Sequence, residues 1–521
     1  MRIKLNSILI SFFFLFVISG KLFSQEEITL SLEECIKEAL KNNLELSLEI
    51  FNPKLAEESF IKAKEFFLPR FELSYAAQRT ENPSYWWIQG KEMVKSSYFD
   101  YSFSLIQEIP TGGNLSLSLM SYKSDTNQAF QLINPRYGSV LRFDFTQPLL
   151  RGFGFKVSQK EMLLARNNKQ ISINRLQSVL LDLVYRVEEA YWNLVYAIEN
   201  HRVKKQSLEL ALDLLKKNEK EVNLGKLAPI ELLNAETAVA MREADILEAE
   251  ALIQSYEDLL GSILNLPKEN DEEKKIIPLD KPSFEKRAVS IEDAFAFARE
   301  NRPELLIRRN EIEAKELNLT LARNQLLPAL DLRLSYWSPG ISGDRILYLN
   351  DNPLLGIVVG KEKGSAQDSL NDALRLIYRN WSIALTLSLP LSTVITRAEY
   401  AKAKMEVARS QLELKREEKQ VFLEIRNAVR ELEINAKRVE ALRLARELAE
   451  KRLEAEEKKL EVGLTTNYFV LQYQEELSTA RSQELKAMID YRLAWAKFEK
   501  ACGISLEKRK IRFLDQDFME D

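Results

Sequence analysis

The sequence predicts an α+β membrane protein: long antiparallel coiled-coil helices joined to the strands of a transmembrane β-barrel, all built by duplicating one unit. Three observations predict it. The chain matches itself at two long shifts. Two stretches of about 66 residues carry seams stepping by threes and fours, with no proline or glycine in either. The segments between helices alternate apolar and polar residues with a period of two.

Residues 1–24 read as a signal peptide. Arg2 and Lys4 precede an apolar run from Ile8 to Ile18, and Ser24 offers a small residue for cleavage. The run is about a dozen residues, short of the roughly 20 that span a bilayer as a helix; an uncleaved anchor is the alternative. No cysteine follows the cleavage point, which argues against a lipoprotein anchor. Beyond residue 24 no apolar stretch is long enough for a membrane helix, so the exported chain is either soluble or spans as a β-barrel.

Composition narrows the function. The 74 Lys and Arg against 78 Asp and Glu give a net charge of −4, and losing Arg2, Lys4 and Lys21 with the signal makes the chain more acidic. That balance excludes nucleic acid as a partner. With 29% charged residues and only 16 glycines and 15 prolines, the chain favours long helices over loops. Cys35 and Cys502 are isolated thiols whose spacing does not decide whether they bridge.

Ser31 to Leu73 overlays Ser290 to Leu332 without a gap, with Glu33/Glu292, Ala39/Ala298, Asn42/Asn301, Leu46/Leu305 and Pro69/Pro328 identical. A second match pairs Ala190 with Ala428, Glu209-Leu210-Ala211 with Glu447-Leu448-Ala449, and Gly225 with Gly463. The expected organisation follows: a first repeat over 25–266, an equatorial linker over 267–289 with Pro267, Pro278 and Pro282, a second repeat over 290–505, and a tail over 506–521.

Within each repeat a very long helix is expected, 158–223 and 397–462, each about 100 Å long at 1.5 Å per residue. Leu176, Leu180, Leu183, Val187, Ala190, Leu194, Ala197 and His201 form the first seam; Phe422, Ile425, Val429, Leu432, Ala436 and Val439 form the second. Such charged helices need helical neighbours to be stable in water. After tip glycines, helices over 229–266 and 467–500 return. Segments 303–326 and 44–67 complete the two return arms, so the chain's ends are expected to meet; Pro53 should kink the last of these.

Strands are expected over 71–147 and 330–389. Phe71, Leu73, Tyr75 and Ala77 share one face, as do Phe99, Tyr101, Phe103 and Leu105; Leu115, Leu117 and Leu119; Leu141, Phe143 and Phe145; Leu330, Leu332, Leu334 and Tyr336; and Trp381, Ile383, Leu385, Leu387 and Leu389. Opposite faces carry Ser, Asp, Arg and Thr. This suits lipid outside and water inside, a soluble sandwich being the alternative. Tyr85, Trp86, Trp87, Tyr98, Tyr336 and Trp337 suit an interfacial belt. Too few strands are present to close a barrel, so the subunit must oligomerise.

Catalysis finds no support. The single histidine, His201, occupies a seam position, and neither a glycine-rich phosphate loop nor a paired-cysteine metal motif is present. No cofactor or metal is expected.

The residues now reached resemble the TolC family of outer-membrane efflux proteins. The likeness rests on Ala39 to Leu46 and Ala298 to Leu305, on Gln147-Pro148-Leu149-Leu150-Arg151-Gly152-Phe153-Gly154 before the long helix, on Ala190-Tyr191-Trp192-Asn193-Leu194, and on the tips at Leu224-Gly225 and Val462-Gly463. The resemblance implies a homotrimer with a β-barrel in outer-membrane lipid and an α-helical barrel in the periplasm. It also implies docking of the tips, at Gly225, Lys226, Val462, Gly463, Thr465 and Thr466, onto a periplasmic adaptor (membrane fusion protein) served by an inner-membrane pump. The implied function is an outer-membrane channel conducting substrate passively from the tips to the exterior. A periplasmic coiled-coil adaptor or scaffold without a pore is the rival reading.

Two features depart from the family. It typically has four barrel strands per protomer, whereas six are read here, so either a trimer closes eighteen strands or the extra hairpin, Tyr98 to Ile109 and Asn114 to Tyr122, lies outside the wall. The family often places a carboxylate six residues beyond the tip glycine; the first copy has Glu231 there and the second has Phe469. Glu231 is the candidate mouth or cation-selecting residue, because three symmetry copies near an axis would raise local negative potential. Its alternative role is an acid stabilising a helix N-terminus after Pro229. Thr465 and Thr466 are expected as N-caps, with adaptor contact as a second role. Gly225 and Gly463 are expected to supply left-handed turns.

Overall fold

The computed structural model describes residues 27–266 and 275–511. The expected signal peptide, Pro267 of the linker, and the tail beyond 511 lie outside the described residues. In order, the elements are β1 (Glu27–Leu30), α1 (Leu32–Asn42), α2 (Leu44–Glu65), β2 (Arg70–Pro83), β3 (Met93–Glu108), β4 (Asn114–Thr126), β5 (Ile133–Pro148), α3 (Phe155–Ser158), α4 (Lys160–Asn223) and α5 (Pro229–Leu264). Then come β6 (Lys275–Pro278), α6 (Ile291–Asn301), α7 (Pro303–Asn324), β7 (Ala329–Tyr348), β8 (Val358–Glu362), α8 (Ala366–Leu374), β9 (Asn380–Ser388), α9 (Val394–Glu461), α10 (Asn467–Cys502) and α11 (Ser505–Lys508). The chain divides into two compact units, and these are not the two sequence copies. One takes the described residues up to Asn52, Ile173–Ile307 and those from Lys415 on; the other takes Pro53–Ser172 and Arg308–Leu414.

The first unit is helical. Ser31 opens α1 with a capping box, its hydroxyl accepting from the Glu34 N–H while the Glu34 carboxylate accepts from the Ser31 N–H at 2.8 Å. Along α4, Leu176, Leu180, Leu183, Val187, Ala190, Leu194 and Ala197 are all buried, as a seam requires. Phe422 is the exception on α9: it stays 37% exposed and packs edge-on against Phe295 at 5.2 Å.

The core joins residues far apart in sequence. Leu30, Cys35, Leu180, Tyr191, Leu260, Ile276, Ile489, Leu506 and Ile511 belong to one cluster, so both ends of the described chain pack into it. Within it β1 pairs in parallel with β6, Glu27 opposite Lys275 and Leu30 opposite Pro278. The alternation signal is too short for sequence reading to find such four-residue strands. Tyr191 locks this corner, its hydroxyl donating to Asp280 Oδ2 at 2.8 Å, and the same oxygen accepts from Leu32 N at the start of α1 at 2.8 Å. Cys35 and Cys502 are free and buried, and burial pushes both thiols up to about 12.

The second unit holds a sheet ordered β2-β3-β4-β5-β7, with β8 and β9 both pairing β7. All its ladders are antiparallel. Its register aligns the apolar faces. Phe71, Leu105, Leu117, Phe143, Tyr336 and Trp381 are consecutive cross-strand partners in one row. On the edge strands this face stands free, Leu73 at 73% and Trp381 at 70% exposure. No helix among the described residues is long and apolar enough to cross a membrane.

Several elements differ from expectation. The strands run further than the alternation indicated: β2 and β3 stay paired up to Pro83 and Met93, and Lys95 lies 3.6 Å from Glu81. Polar residues occupy both faces there, so the periodic signal fades while the backbone ladder continues. Between the expected strand faces ending at Tyr336 and starting at Trp381, where no element is assigned from sequence, lie the second half of β7, β8 and α8. The first turn of α8 crosses the strands so closely that a Cβ on Gly340 would meet the Ser369 carbonyl, and Ser369 Oγ lies 3.1 Å from Ser139 Oγ. Pro53 lies inside α2, which is helical on both sides of it.

In this unit four helical segments also line up side by side. The Lys169 ammonium of α4 pairs with Glu57 of α2. Asn167 of α4 donates to the Asn310 carbonyl of α7 at 2.9 Å, and Lys315 of α7 lies 3.2 Å from Glu406 of α9.

Candidate functional site at the helical tips

The two long helices end in the same turn. At the end of α4, Lys226 N–H donates to Glu221 O at 2.8 Å and Gly225 N–H to Val222 O at 2.9 Å; at the end of α9, Leu464 N–H donates to Lys459 O at 2.9 Å and Gly463 N–H to Leu460 O at 3.1 Å. These bonds satisfy carbonyls that the helix end would otherwise leave open. Gly225 has φ +69° and Gly463 φ +76°, and nothing lies within 4 Å of a Cβ built on either. Backbone conformation, rather than crowding, is what requires glycine here.

The returning helices start differently. Pro229 occupies the first position of α5 behind Ala228, a place where its missing N–H costs nothing. Thr466 occupies the N-cap of α10, but its side chain makes no capping bond. Side-chain capping by Thr465 and Thr466 is therefore corrected. The Thr465 hydroxyl instead donates to Glu456 Oε1 at 2.6 Å, and Lys459 Nζ lies 3.0 Å from Glu456 Oε2. Both interactions, the Thr465 bond first, hold the Glu456 carboxyl below its ordinary range. The reach back across the turn takes the hydroxyl away from the helix start.

Glu231 lies in the first turn of α5. Its N–H donates to Ala228 O at 3.0 Å, and its carbonyl accepts from the fully buried Asn218 at 3.3 Å. Its carboxylate is half-buried, with Oε2 enclosed and lacking a hydrogen-bond partner among the described residues. Phe469, the matching position in the second copy, packs its ring edge-on against Tyr468 at 5.6 Å and is 43% exposed.

Gly225, Lys226, Val462, Gly463 and Thr466 are exposed, and Thr465 is half-buried. Around them, beside Leu224 and Leu233, the tips also expose Ile230, Leu464 and Tyr468, which sequence reasoning did not single out. Their signal was apolar residues close to each tip glycine, Leu224 before Gly225 and Val462 and Leu464 around Gly463, where a solvated turn would be polar.

Above the tips, Arg242 of α5 is buried at 4% exposure. It donates to the carbonyls of Ser207 and Leu471, each at 3.1 Å, and to Gln474 Oε1 at 3.2 Å; its Nε lies 3.6 Å from Glu475. One side chain thereby ties α4, α5 and α10 together. It borders a groove of about 710 Å³ between α5 and α10, lined also by Met241, Tyr468 and Glu476. Reading alone missed Arg242, although the steps Ala235, Val239, Arg242 and Ala249 place it on the seam of α5. His201 keeps its seam position, 3.6 Å from Glu250.

Nothing at the tips is arranged for bond-making chemistry. Among the described residues no group of three or more His, Cys, Asp and Glu could hold a metal ion. What the site offers is a rigid turn, an apolar surface and enclosed polar groups.

Comparison with known proteins bears on both regions. The family model described as outer membrane efflux protein matches residues 114–265 and 296–504. The alkaline protease secretion protein AprF of Pseudomonas aeruginosa is 22% identical over 360 residues, 67% of either chain. The CmeC outer membrane channel of Campylobacter jejuni superposes with a TM-score of 0.61 at 17% identity, covering 94% of this chain and 90% of that one. The open state of the MtrE outer membrane channel of Neisseria gonorrhoeae gives 0.61 at 17% identity, covering 95% of each.

Proposed function

From the premise that this chain belongs to the outer membrane efflux protein family, and is an outer-membrane channel for efflux or secretion with a large periplasmic domain, we propose how its parts divide the work. The protein assembles as a homotrimer. Substrate enters at the helical tips, passes a water-filled tunnel and leaves through the barrel, while an inner-membrane pump supplies the energy. The tips dock a periplasmic adaptor through Leu224, Gly225, Lys226, Val462, Gly463, Leu464, Thr465 and Thr466, since exposed apolar residues around a rigid turn suit an apolar partner surface.

The observation that carries this reading is the registered apolar face running from Phe71 to Trp381, free on both edge strands. A pore-less periplasmic scaffold would leave that face in water. Fractionation tests it: the mature chain is expected in the outer-membrane fraction, and its release as a soluble protein by osmotic shock would sink the channel reading.

Glu231 acts at the mouth as a cation-selecting carboxylate, present once per protomer because the second copy has Phe469. Its oxygen Oε2 has no hydrogen-bond partner among the described residues, which leaves the carboxylate available for this role. In a planar bilayer under a salt gradient, Glu231→Gln is expected to move the reversal potential towards zero. An unchanged potential would remove Glu231 from selectivity.

A further inference from the structure

We infer that three copies of this chain close one barrel of eighteen strands, β2 of each protomer pairing with β9 of the next, with the β3–β4 hairpin inside the wall. This rests on the channel reading above and deepens it. The first support is the ladder itself. β3 is paired with β2 from Arg70↔Ile106 to Pro83↔Met93 on one side and with β4 from Ser96↔Thr126 to Glu108↔Asn114 on the other. β4 is paired as completely with β5. A flap lying outside the wall would leave β2 beside β5; here two full strands separate them.

The edges supply the second support. Six long strands are too few to close a bacterial barrel, whose smallest form has about eight, and an open edge in hydrocarbon leaves backbone groups unpaired. The open edges are β2 on one side and β9, with the five-residue β8 further along β7, on the other, and β2 and β9 fit each other. β2 leads away from α2 and β9 leads into α9, so opposed copies run antiparallel. Their apolar faces lie on the same side of the sheet, since Phe71 and Trp381 end one row. The shorter partner, β9, has 9 residues, about what a tilted strand needs to cross the hydrocarbon. The occupant of the edge is thus a second copy of this chain.

Width gives the third support. In the same unit α2, α4, α7 and α9 stand in a row. Four helices at about 9 Å apart occupy about 36 Å of circumference. Six strands at about 4.8 Å, tilted by about 40°, occupy about 38 Å, whereas four would occupy about 25 Å. The extra hairpin makes strand and helix rows equally wide. Three such sheets give a backbone diameter of about 36 Å, against about 24 Å for a twelve-stranded barrel at the same tilt.

The test is a density map of the full-length protein in lipid nanodiscs, backed by cysteine pairs. Eighteen wall strands in a trimer are expected. Ser74→Cys with Ser102→Cys, whose hydroxyl oxygens are 2.6 Å apart, should form a disulfide within the protomer in membranes. Leu385→Cys combined in turn with cysteines along Phe71 to Ala77 should cross-link neighbours into a trimer ladder at one register. A membrane-inserted trimer with twelve wall strands and a detached hairpin would overturn the inference and leave the channel reading standing. A chain that forms no membrane-inserted oligomer would overturn both.

Discussion

Arg242 occupies a place where a helical seam would ordinarily hold leucine or methionine, and burial pulls its guanidinium pKa down while Glu475 pushes it back up. Its fork of donors reaches two carbonyls and an amide that belong to different helices. Truncating the side chain leaves a cavity and takes the donor from buried acceptors, about 1–3 kcal/mol for each group left unpaired, whereas an apolar residue of similar length keeps the volume and loses only the bonds. Arg242→Ala is therefore expected to lower the melting temperature of the purified protein clearly, and Arg242→Met to lower it less. Equal losses in both variants would mean that the hydrogen bonds, not the filled volume, hold α5 to α10. Glu231 shows the opposite economy: its main chain is fully used and one carboxylate oxygen is not.

At the scale of elements, the tip turn is a device used twice with one geometry. Because neither glycine is crowded, alanine there meets only the left-handed backbone penalty, roughly 1–2 kcal/mol for an L-residue. Gly225→Ala and Gly463→Ala are expected to accelerate amide exchange in the last turn of α4 or α9 respectively, with asparagine giving the milder effect. Exchange unchanged in both would show that the bonds from Lys226 and Leu464 hold the turns unaided. Periodicity made such long helices legible, because a seam sustained over many turns leaves few alternatives; α4 and α9 span 64 and 68 residues, against 66 expected for each. Strands were legible only where lipid imposes one apolar face. Their upper ends, α8 and β8 carry mixed polarity, so only the backbone ladder reveals them. The seam also held Arg242 in plain sight, but a lone arginine reads as a solvated charge until its neighbours are known. The bond from Thr465 to Glu456 depends on how the turn folds back, which spacing does not encode.

For the whole molecule, the division into two compact units cuts across the duplication, since each unit draws on both copies. The expectation of matched helices and a chain whose ends meet followed from length alone, and Leu506 and Ile511 do pack in the cluster that holds Leu30 and Cys35. The corner made by β1 and β6 was beyond reach, because nothing local in Glu27–Leu30 names a partner so far along the chain. That corner also sets a schedule. Leu32 meets Asp280, 248 residues later in the chain, and β1 finds its strand partner only just before that. At synthesis rates of about 5–20 residues per second, the first strand waits about 10–50 s with its backbone unpaired. Glu27–Leu30 is thus made early and paired late, and until its partner arrives its unpaired backbone is what a holding chaperone would cover.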